Sequence, residues 1–145
     1  MDANVFLLLF FGIYAGREGA GQNFFDGMIM RIAIIGAGRM GFVQARIARF
    51  FGDEILCCVE PQDEARGAFE GEFHRKGYVD VASARAALED ADLIWCTTVD
   101  GAIECVGKRL GAYALRGVVL HKSGALSSKF SGKIYPVRAG HSIRF

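Results

Sequence analysis

The stretch "RIAIIGAGRMGFVQARIARFF", residues 31–51, places three glycines between an apolar run and an amphipathic segment. Residues 32–35 are continuously apolar, which is typical of a strand buried on both faces of a parallel sheet. After the glycines, apolar residues recur at helical spacing with polar residues between them. The apolar positions are Met40, Val43, Ile47, Ala48 and Phe51, and the polar ones are Arg39, Gln44, Arg46 and Arg49. The stretch therefore predicts a buried strand, a glycine turn and an amphipathic helix.

The same alternation of strand and helix continues along the chain. The predicted strands cover residues 54–60, 78–81, 92–98, 117–121 and 133–137, and the predicted helices cover residues 61–77, 82–89 and 100–113. Strands that alternate with crossover helices form βαβ units and a parallel sheet covered on both faces. We therefore predict an α/β fold, a doubly wound Rossmann sheet of about six strands in the order 3-2-1-4-5-6, with its ligand at the carboxyl edge between strands 1 and 4.

Residues 1–29 differ in composition from the rest of the chain. Residues 4–16 are apolar, but this run is shorter than the roughly 18 to 20 residues that a membrane-spanning helix needs. Asp2 stands where a signal peptide would carry a positive charge. A glycine-rich stretch then leads to Met28 and Met30. We interpret the extension as a start codon assigned too far upstream, and an apolar arm that docks on a partner or membrane surface stays open. The dinucleotide-binding domain is then predicted over residues 30–145.

Charge and cysteine content exclude several classes of function. The 17 basic and 16 acidic side chains leave a net charge of +1, which argues against a nucleic-acid or anionic membrane partner. Cys57, Cys58, Cys96 and Cys105 form no CxxC pair, and the chain has no histidine cluster at metal spacing. All four cysteines fall in predicted strands or helices, so we expect reduced core thiols in a cytoplasmic protein, with no metal. Cys57 and Cys58 are adjacent and should face opposite sides of their strand.

The glycine turn has the pattern GxGxxG, which is a weak signal by itself in a chain with 19 glycines. Its context strengthens the signal, because a predicted strand precedes it and a helix starts within it. Gly36 allows a tight turn, Gly38 lets a pyrophosphate approach the backbone, and Gly41 lets the helix lie close to the strand. Amides at the helix start then face the phosphates. The predicted cofactor-binding residues of the turn are Gly36, Ala37, Gly38, Arg39, Met40 and Gly41.

Glu60 ends the second predicted strand, as the acidic residue that accompanies this glycine pattern does. Its carboxylate can accept hydrogen bonds from both hydroxyls of an adenosine ribose, and its charge would repel a 2′-phosphate. Glu60 therefore favours NAD over NADP. NADP stays open, because Arg39 or Arg66 could bind a 2′-phosphate.

Further cofactor contacts are predicted at the ends of the fourth and fifth strands. Thr97, Thr98 and Val99 leave the fourth strand at the crevice, beside the pyrophosphate or the nicotinamide ribose. The alternative for these residues is a polar turn that caps the next helix. His121 ends the fifth strand, where it could bind cofactor or substrate or act as an acid or base. The alternative for His121 is a structural role.

Four stretches of the sequence carry a resemblance to a known family. They are "IAIIGAGRMG" at residues 32–41, "TTVDGAI" at 97–103, "GVVLHKSGALSS" at 117–128 and "AGHSIRF" at 139–145. Together they resemble the Rossmann-like NADP oxidoreductases, a family allied to pyrroline-5-carboxylate reductases and more distantly to prephenate dehydrogenases. The most specific part is "HKSGAL" at residues 121–126. The resemblance implies NAD(P)-dependent hydride transfer to or from a small hydroxy acid or imine.

The resemblance also implies catalytic residues and a missing part. It places the loop of Ser123 beside the nicotinamide, and it makes Ser123 and His141 similar to the serine and histidine that act on the substrate hydroxyl in prephenate dehydrogenases. This chain departs from the family in the turn Val99–Asp100, where a proline is usual, and at His141–Ser142, where the family has His-Pro. The family continues into a helical domain that dimerises and completes the substrate pocket, and this chain stops at Phe145. We therefore expect a domain that needs a homodimer or a helical partner domain for catalysis. A non-catalytic dinucleotide-binding module, a vestigial fragment and an FAD site are the alternatives.

Overall fold

The computed structural model describes residues 29–121 and 134–136. The described residues belong to one compact unit. The expectations for residues 1–28, Ser123 and His141 fall outside these ranges and stay predictions. Among the described residues the longest helices have 12 residues, and none of them is long and apolar enough to cross a membrane.

The described elements alternate as predicted. In chain order they are β1 (Arg31–Ile35), α1 (Arg39–Phe50), β2 (Glu54–Val59), α2 (Asp63–Phe73), β3 (Gly77–Tyr78), α3 (Arg85–Asp90), β4 (Leu93–Cys96), α4 (Asp100–Gly111), β5 (Val118–His121) and β6 (Ile134–Pro136). All neighbouring strands pair in parallel. Their order in the sheet is β3-β2-β1-β4-β5-β6, so the predicted doubly wound α/β fold is confirmed.

The predicted boundaries around β3 are wrong, and the helix predicted over residues 61–77 and the strand predicted over 92–98 are shorter in the structure, at Asp63–Phe73 and Leu93–Cys96. Strand β3 is only two residues long and starts one residue earlier than expected, and α3 starts at Arg85 rather than at residue 82. A side-chain turn occupies the space between them: Ser83 N donates to Asp80 Oδ1 at 2.7 Å, and the Ser83 hydroxyl donates to Asp80 O at 3.0 Å. Aspartate and serine form such turns in competition with strand or helix.

Helix α1 turns a different face to the sheet than its apolar pattern predicts. The buried residues are Gly41, Gln44, Ala45 and Ala48. Met40, Val43 and Ile47 are only half-buried. The reason is the close approach of the helix to the strand, because a Cβ at Gly41 would lie 2.0 Å from Gly36 O. The small residues Gly41, Ala45 and Ala48 fit this narrow gap, and the larger apolar residues lie at its flanks. Gln44 shares the buried face although its side chain is long.

The cysteines follow the sheet register. Cys57 pairs with Ala33 and Cys58 with Ile34, so the two thiols lie on opposite faces, as expected. Cys57, Cys58 and Cys96 are buried, and burial raises the pKa of Cys57 and Cys58 to about 12. The expectation of a core thiol is wrong for Cys105, which is exposed. Its helix buries Ile103 instead, and positions two residues apart on a helix point to different sides.

A bidentate ion pair joins α1 to α2. Arg46 Nε donates to Glu72 Oε1 at 2.7 Å and Arg46 Nη2 donates to Glu72 Oε2 at 2.9 Å. The hydrogen bond from Arg46 lowers the pKa of Glu72 below its ordinary value of 4.5. Next to this pair, the ring of Phe42 contacts those of Phe69 and Phe73, with centroid distances of 5.6 and 5.8 Å.

Replacing Arg46 by glutamine should reduce the acid sensitivity of the fold. A carboxylate whose folded-state pKa is depressed stabilises the fold above its unfolded-state pKa, and this stabilisation is lost as the pH falls through the folded-state pKa. We expect the free energy of unfolding to fall less between about pH 7 and about pH 3.5 in Arg46→Gln than in the wild type, by at most about 1 kcal/mol because the pair is largely exposed. Urea titrations at the two pH values measure this difference. Arg46→Lys, which keeps the charge, should lie between the two, and equal pH dependence in all three proteins would contradict the assignment.

Candidate functional site

The carboxyl end of β1 leads into a turn that requires glycine at its first position. Gly36 has a φ of 98°, a left-handed conformation that glycine adopts without strain. A Cβ on Gly36 would also lie 2.9 Å from the backbone of Thr97 and of Thr98. Gly36 N donates to Val59 O at 2.8 Å. The turn is therefore pressed between the ends of β2 and β4.

The second and third glycines have different surroundings. Gly38 is the N-cap of α1 and has no side-chain cap. Among the described residues, a Cβ at Gly38 would meet nothing within 4 Å, whereas one at Gly41 would meet Gly36 O at 2.0 Å and Ile34 Cγ2 at 3.2 Å. Gly41 is thus required by internal packing, and the space above Gly38 is open.

The start of α1 presents backbone amides that have no hydrogen-bond acceptor within the helix. The first helical hydrogen bond runs from Phe42 N to Gly38 O at 3.0 Å, and the amides before it lack acceptors inside the helix. In the part of the chain that the structure describes, the amides of Arg39, Met40 and Gly41 donate to no other element. The first turn also contains no acidic residue. Such a helix end is positive and attracts anions.

Glu60 lies just after β2, at the same edge of the sheet. Glu60 is only 9% exposed. The carboxylate accepts two backbone hydrogen bonds, from Ala37 N to Oε2 at 2.9 Å and from Gln62 N to Oε1 at 2.9 Å. Each carboxylate oxygen has a second lone pair and can accept a further donor. Glu60 therefore joins the glycine turn to the start of α2, and it keeps acceptor capacity toward a ligand.

The two arginines that could bind a 2′-phosphate differ in their hydrogen bonds and ion pairs. Arg66 donates to Glu60 O at 2.9 Å and to Pro61 O at 3.3 Å, and it forms an ion pair with Asp63. Its guanidinium is therefore held at the end of β2. Arg39 is exposed, and among the described residues its side chain has no hydrogen bond or ion pair.

The residues predicted to bind the cofactor at the ends of β4 and β5 differ in their contacts and in their exposure. The Thr97 hydroxyl lies 2.7 Å from Gly36 O. The Thr98 hydroxyl lies 3.6 Å from Cys96 Sγ. Val99 is the N-cap of α4 and is 77% exposed. His121 is fully buried at the end of β5, and this burial favours its structural alternative over direct contact with a ligand.

A groove beside the glycine turn was missed by sequence reasoning. It lies between the first halves of α1 and α2 and has a volume of about 670 Å³. The residues that line it include Ala37, Gly38, Arg39, Phe42, Val43 and Gln62. The spacing of Arg39, Phe42 and Val43 is the only signal that could have found it, because residues three and four apart share one helix face.

Solved structures of dehydrogenases resemble this chain. A protein from Bacteroides fragilis assigned as an NADP oxidoreductase has a TM-score of 0.63 and 17% identity over 73% of this chain and 41% of its own. Prephenate dehydrogenase from A. aeolicus, solved with hydroxyphenyl propionate and NAD+, has a TM-score of 0.64 and 15% identity over 75% of this chain and 41% of its own. The WlbA dehydrogenase from Thermus thermophilus, solved with NAD and UDP-GlcNAcA, has a TM-score of 0.56 and 16% identity over 75% and 41%.

In sequence, no family model and no curated protein matches this chain. The aligned region spans 41% of each of the three solved proteins. At these identities the likeness concerns the backbone. The chain has the Rossmann-like fold of NAD(P)-dependent dehydrogenases.

Proposed function

We propose that residues 30–145 form a dinucleotide-binding Rossmann domain of an NAD(P)-dependent oxidoreductase. The observation that carries the proposal is the juxtaposition at one sheet edge of an open, uncapped helix start at Gly38 with the buried Glu60 carboxylate, joined through Ala37. A dinucleotide has a pyrophosphate next to an adenosine ribose. The pyrophosphate needs an anion site, and the ribose needs a neighbouring acceptor for its hydroxyls.

The pyrophosphate is proposed to bind above Gly38. The absence of neighbours within 4 Å of a Cβ there leaves room for phosphate oxygens, and the amides of Arg39, Met40 and Gly41 are the donors that face them. The exposed Arg39 side chain adds a positive charge at the rim of the site. The solved relatives that contain NAD support this reading of the shared fold.

NAD is the favoured cofactor. The Glu60 carboxylate is held by two backbone amides, so it cannot swing away to admit a 2′-phosphate. Arg66, one of the two candidates to bind that phosphate, is bonded to Glu60 O and paired with Asp63. NADP is the second candidate, because Arg39 is still available.

The chemistry is proposed on the resemblance alone. Ser123 and His141 would act on the hydroxyl or imine of a small substrate beside the nicotinamide, and a helical domain or a second copy of the chain would close the pocket. The four free thiols support a reducing compartment such as the cytoplasm. The alternative function is a non-catalytic dinucleotide-binding module, which would bind the cofactor and turn over no hydroxy acid or imine.

Isothermal titration of the full chain with NADH and NADPH tests the proposed binding, and Gly38→Ala tests its location. We expect saturable binding with tighter affinity for NADH. The methyl group of Gly38→Ala meets no atom of the described residues, so the variant should fold with only the modest loss of stability that alanine causes at an N-cap. Crowding of the pyrophosphate should weaken NADH binding roughly tenfold.

Gly67→Ala is the matched control, because Gly67 is exposed on α2 and a Cβ there also meets nothing within 4 Å. Its affinity for NADH should equal that of the wild type. No saturable binding of either nucleotide would remove the proposed function, and an unchanged affinity in Gly38→Ala would remove the proposed place of the pyrophosphate.

A further inference from the structure

We infer that Thr97 is a positioning residue whose hydroxyl fixes the peptide plane between Gly36 and Ala37, and so aims the amides that start α1. This inference rests on the proposed function, in which those amides bind the pyrophosphate. It assigns Thr97 a different role from the direct cofactor contact that its sequence position predicts.

The Thr97 hydroxyl has two carbonyls within reach, and one of them is already satisfied. Thr97 N donates to Ile35 O at 2.8 Å. The hydroxyl lies 3.1 Å from the same Ile35 O and 2.7 Å from Gly36 O. A threonine hydroxyl carries a single proton. The shorter distance and the existing bond to Ile35 O both direct that proton to Gly36 O.

The same peptide unit is held at its other end. Its carbonyl, Gly36 O, accepts from the hydroxyl of Thr97, which directly follows β4. Its amide, Ala37 N, donates to Oε2 of Glu60, which directly follows β2. Side chains from two different strand ends therefore hold one peptide plane. A rotation of this plane would break both hydrogen bonds at once.

Close packing leaves Gly36 O few other donors. Gly41 of α1 lies directly against it, since a Cβ there would come within 2.0 Å of the carbonyl oxygen. The Thr97 hydroxyl approaches from the β4 side. Without the Thr97 hydroxyl, the buried Gly36 carbonyl would lack a good hydrogen-bond donor. Because an unsatisfied buried carbonyl costs free energy, the peptide would tend to rotate until the oxygen reaches water.

The position of this peptide explains why its orientation matters for binding. Ala37 immediately precedes Gly38, the N-cap of α1. The direction in which the chain enters a helix determines where the first free amides point. A residue that holds the Gly36 carbonyl thus acts on the phosphate site without touching the ligand.

Thr97→Val tests the inference, because valine keeps the branched shape and lacks the hydroxyl. We expect its dissociation constant for NADH to rise roughly fivefold, the effect of losing one neutral hydrogen bond. Hydrogen exchange of the Ala37 amide, followed by NMR in the ligand-free protein, should be at least about tenfold faster relative to the amide of Ile34 in β1. Thr97→Ala should reproduce both changes if valine disturbs the packing.

Two controls separate positioning from a general loss of stability. Thr97→Ser restores the hydroxyl and should return both readouts to within about twofold of the wild type. Ser83→Ala removes a hydroxyl that also donates to a backbone carbonyl, Asp80 O at 3.0 Å, in an exposed turn. It should change neither readout.

The outcomes distinguish this inference from the proposed function. If the wild type binds no dinucleotide, the proposed function fails, and the Ala37 exchange rate still tests whether Thr97 holds the peptide. If the wild type binds NADH and Thr97→Val binds it equally well with unchanged Ala37 exchange, the positioning role is overturned while the proposed function stands.

Discussion

Gly41→Ala is expected to destabilise the fold by about 3 kcal/mol or more, the range of severe overpacking. The added Cβ would lie 2.0 Å from Gly36 O and 3.1 Å from Gly36 C. That backbone cannot yield easily, because Gly36 N is bonded to Val59 O and Gly36 O to the Thr97 hydroxyl. Helix α1 would have to move away from the sheet as a whole. Urea unfolding followed by circular dichroism measures the change.

Gly71→Ala provides the matched control for this substitution. Gly71 is also a helix residue, but it is exposed and a Cβ there meets nothing within 4 Å. Alanine in an exposed helix interior should stabilise the protein by about 0.5 to 1 kcal/mol relative to glycine. If Gly41→Ala were as stable as Gly71→Ala, α1 could not lie as close to β1 as the structure places it.

The architecture could be predicted because continuous apolar runs and helical periodicity dominate most of residues 30–121. β1, β4 and β5 are short apolar runs between helix patterns, and their parallel order follows from the general handedness of crossover connections. β3 was misplaced because a strand of two residues, Gly77–Tyr78, has no periodicity of its own. Its position depends on pairing with Cys58 and Val59, which are far away in the sequence.

The face of α1 was misjudged for a related reason. Periodicity ranks residues by hydrophobicity and therefore put Met40, Val43 and Ile47 inward and Gln44 outward. The structure buries Gln44 at 1% exposure, on the same helix face as Gly41, Ala45 and Ala48. These three small residues let the helix lie close to the sheet, so they decide which face turns inward. The separation between a helix and a sheet is a tertiary quantity, and the pattern of a single helix does not contain it.

At the candidate site, sequence reasoning named residues that the structure brings to one sheet edge, but it missed how they are connected. The glycine pattern and Glu60 were identified from their spacing. The bond from Ala37 N to Glu60 joins residues 23 apart, and that from the Thr97 hydroxyl to Gly36 O joins residues 61 apart. A motif indicates which residue types a ligand needs. It does not indicate that the same side chains also hold the loop.

Substitution of Glu60 should have the largest effect on cofactor binding. Glu60→Ala removes the proposed acceptor of the ribose hydroxyls, and it removes the observed acceptor of the amides of Ala37 and Gln62. Hydrogen bonds to charged groups are worth about 1.5 to 3 kcal/mol. We therefore expect NADH binding to weaken by about 2 kcal/mol or more, roughly 30-fold. Isothermal titration of NADH and NADPH against the variant and the wild type measures the loss.

Glu60→Gln separates the charge of this side chain from its shape. Glutamine keeps one acceptor oxygen but removes the negative charge next to which a 2′-phosphate would lie. Unit charges about 4 Å apart repel strongly at a protein surface, so the ratio of the NADPH to the NADH dissociation constant should fall at least about tenfold. Glu104→Gln, on the exposed face of α4 and paired with Lys108 at 2.8 Å, should leave that ratio unchanged. If Glu60→Gln also left it unchanged, the carboxylate would serve only to join the glycine turn to α2, and the preference for NAD would have no basis in Glu60.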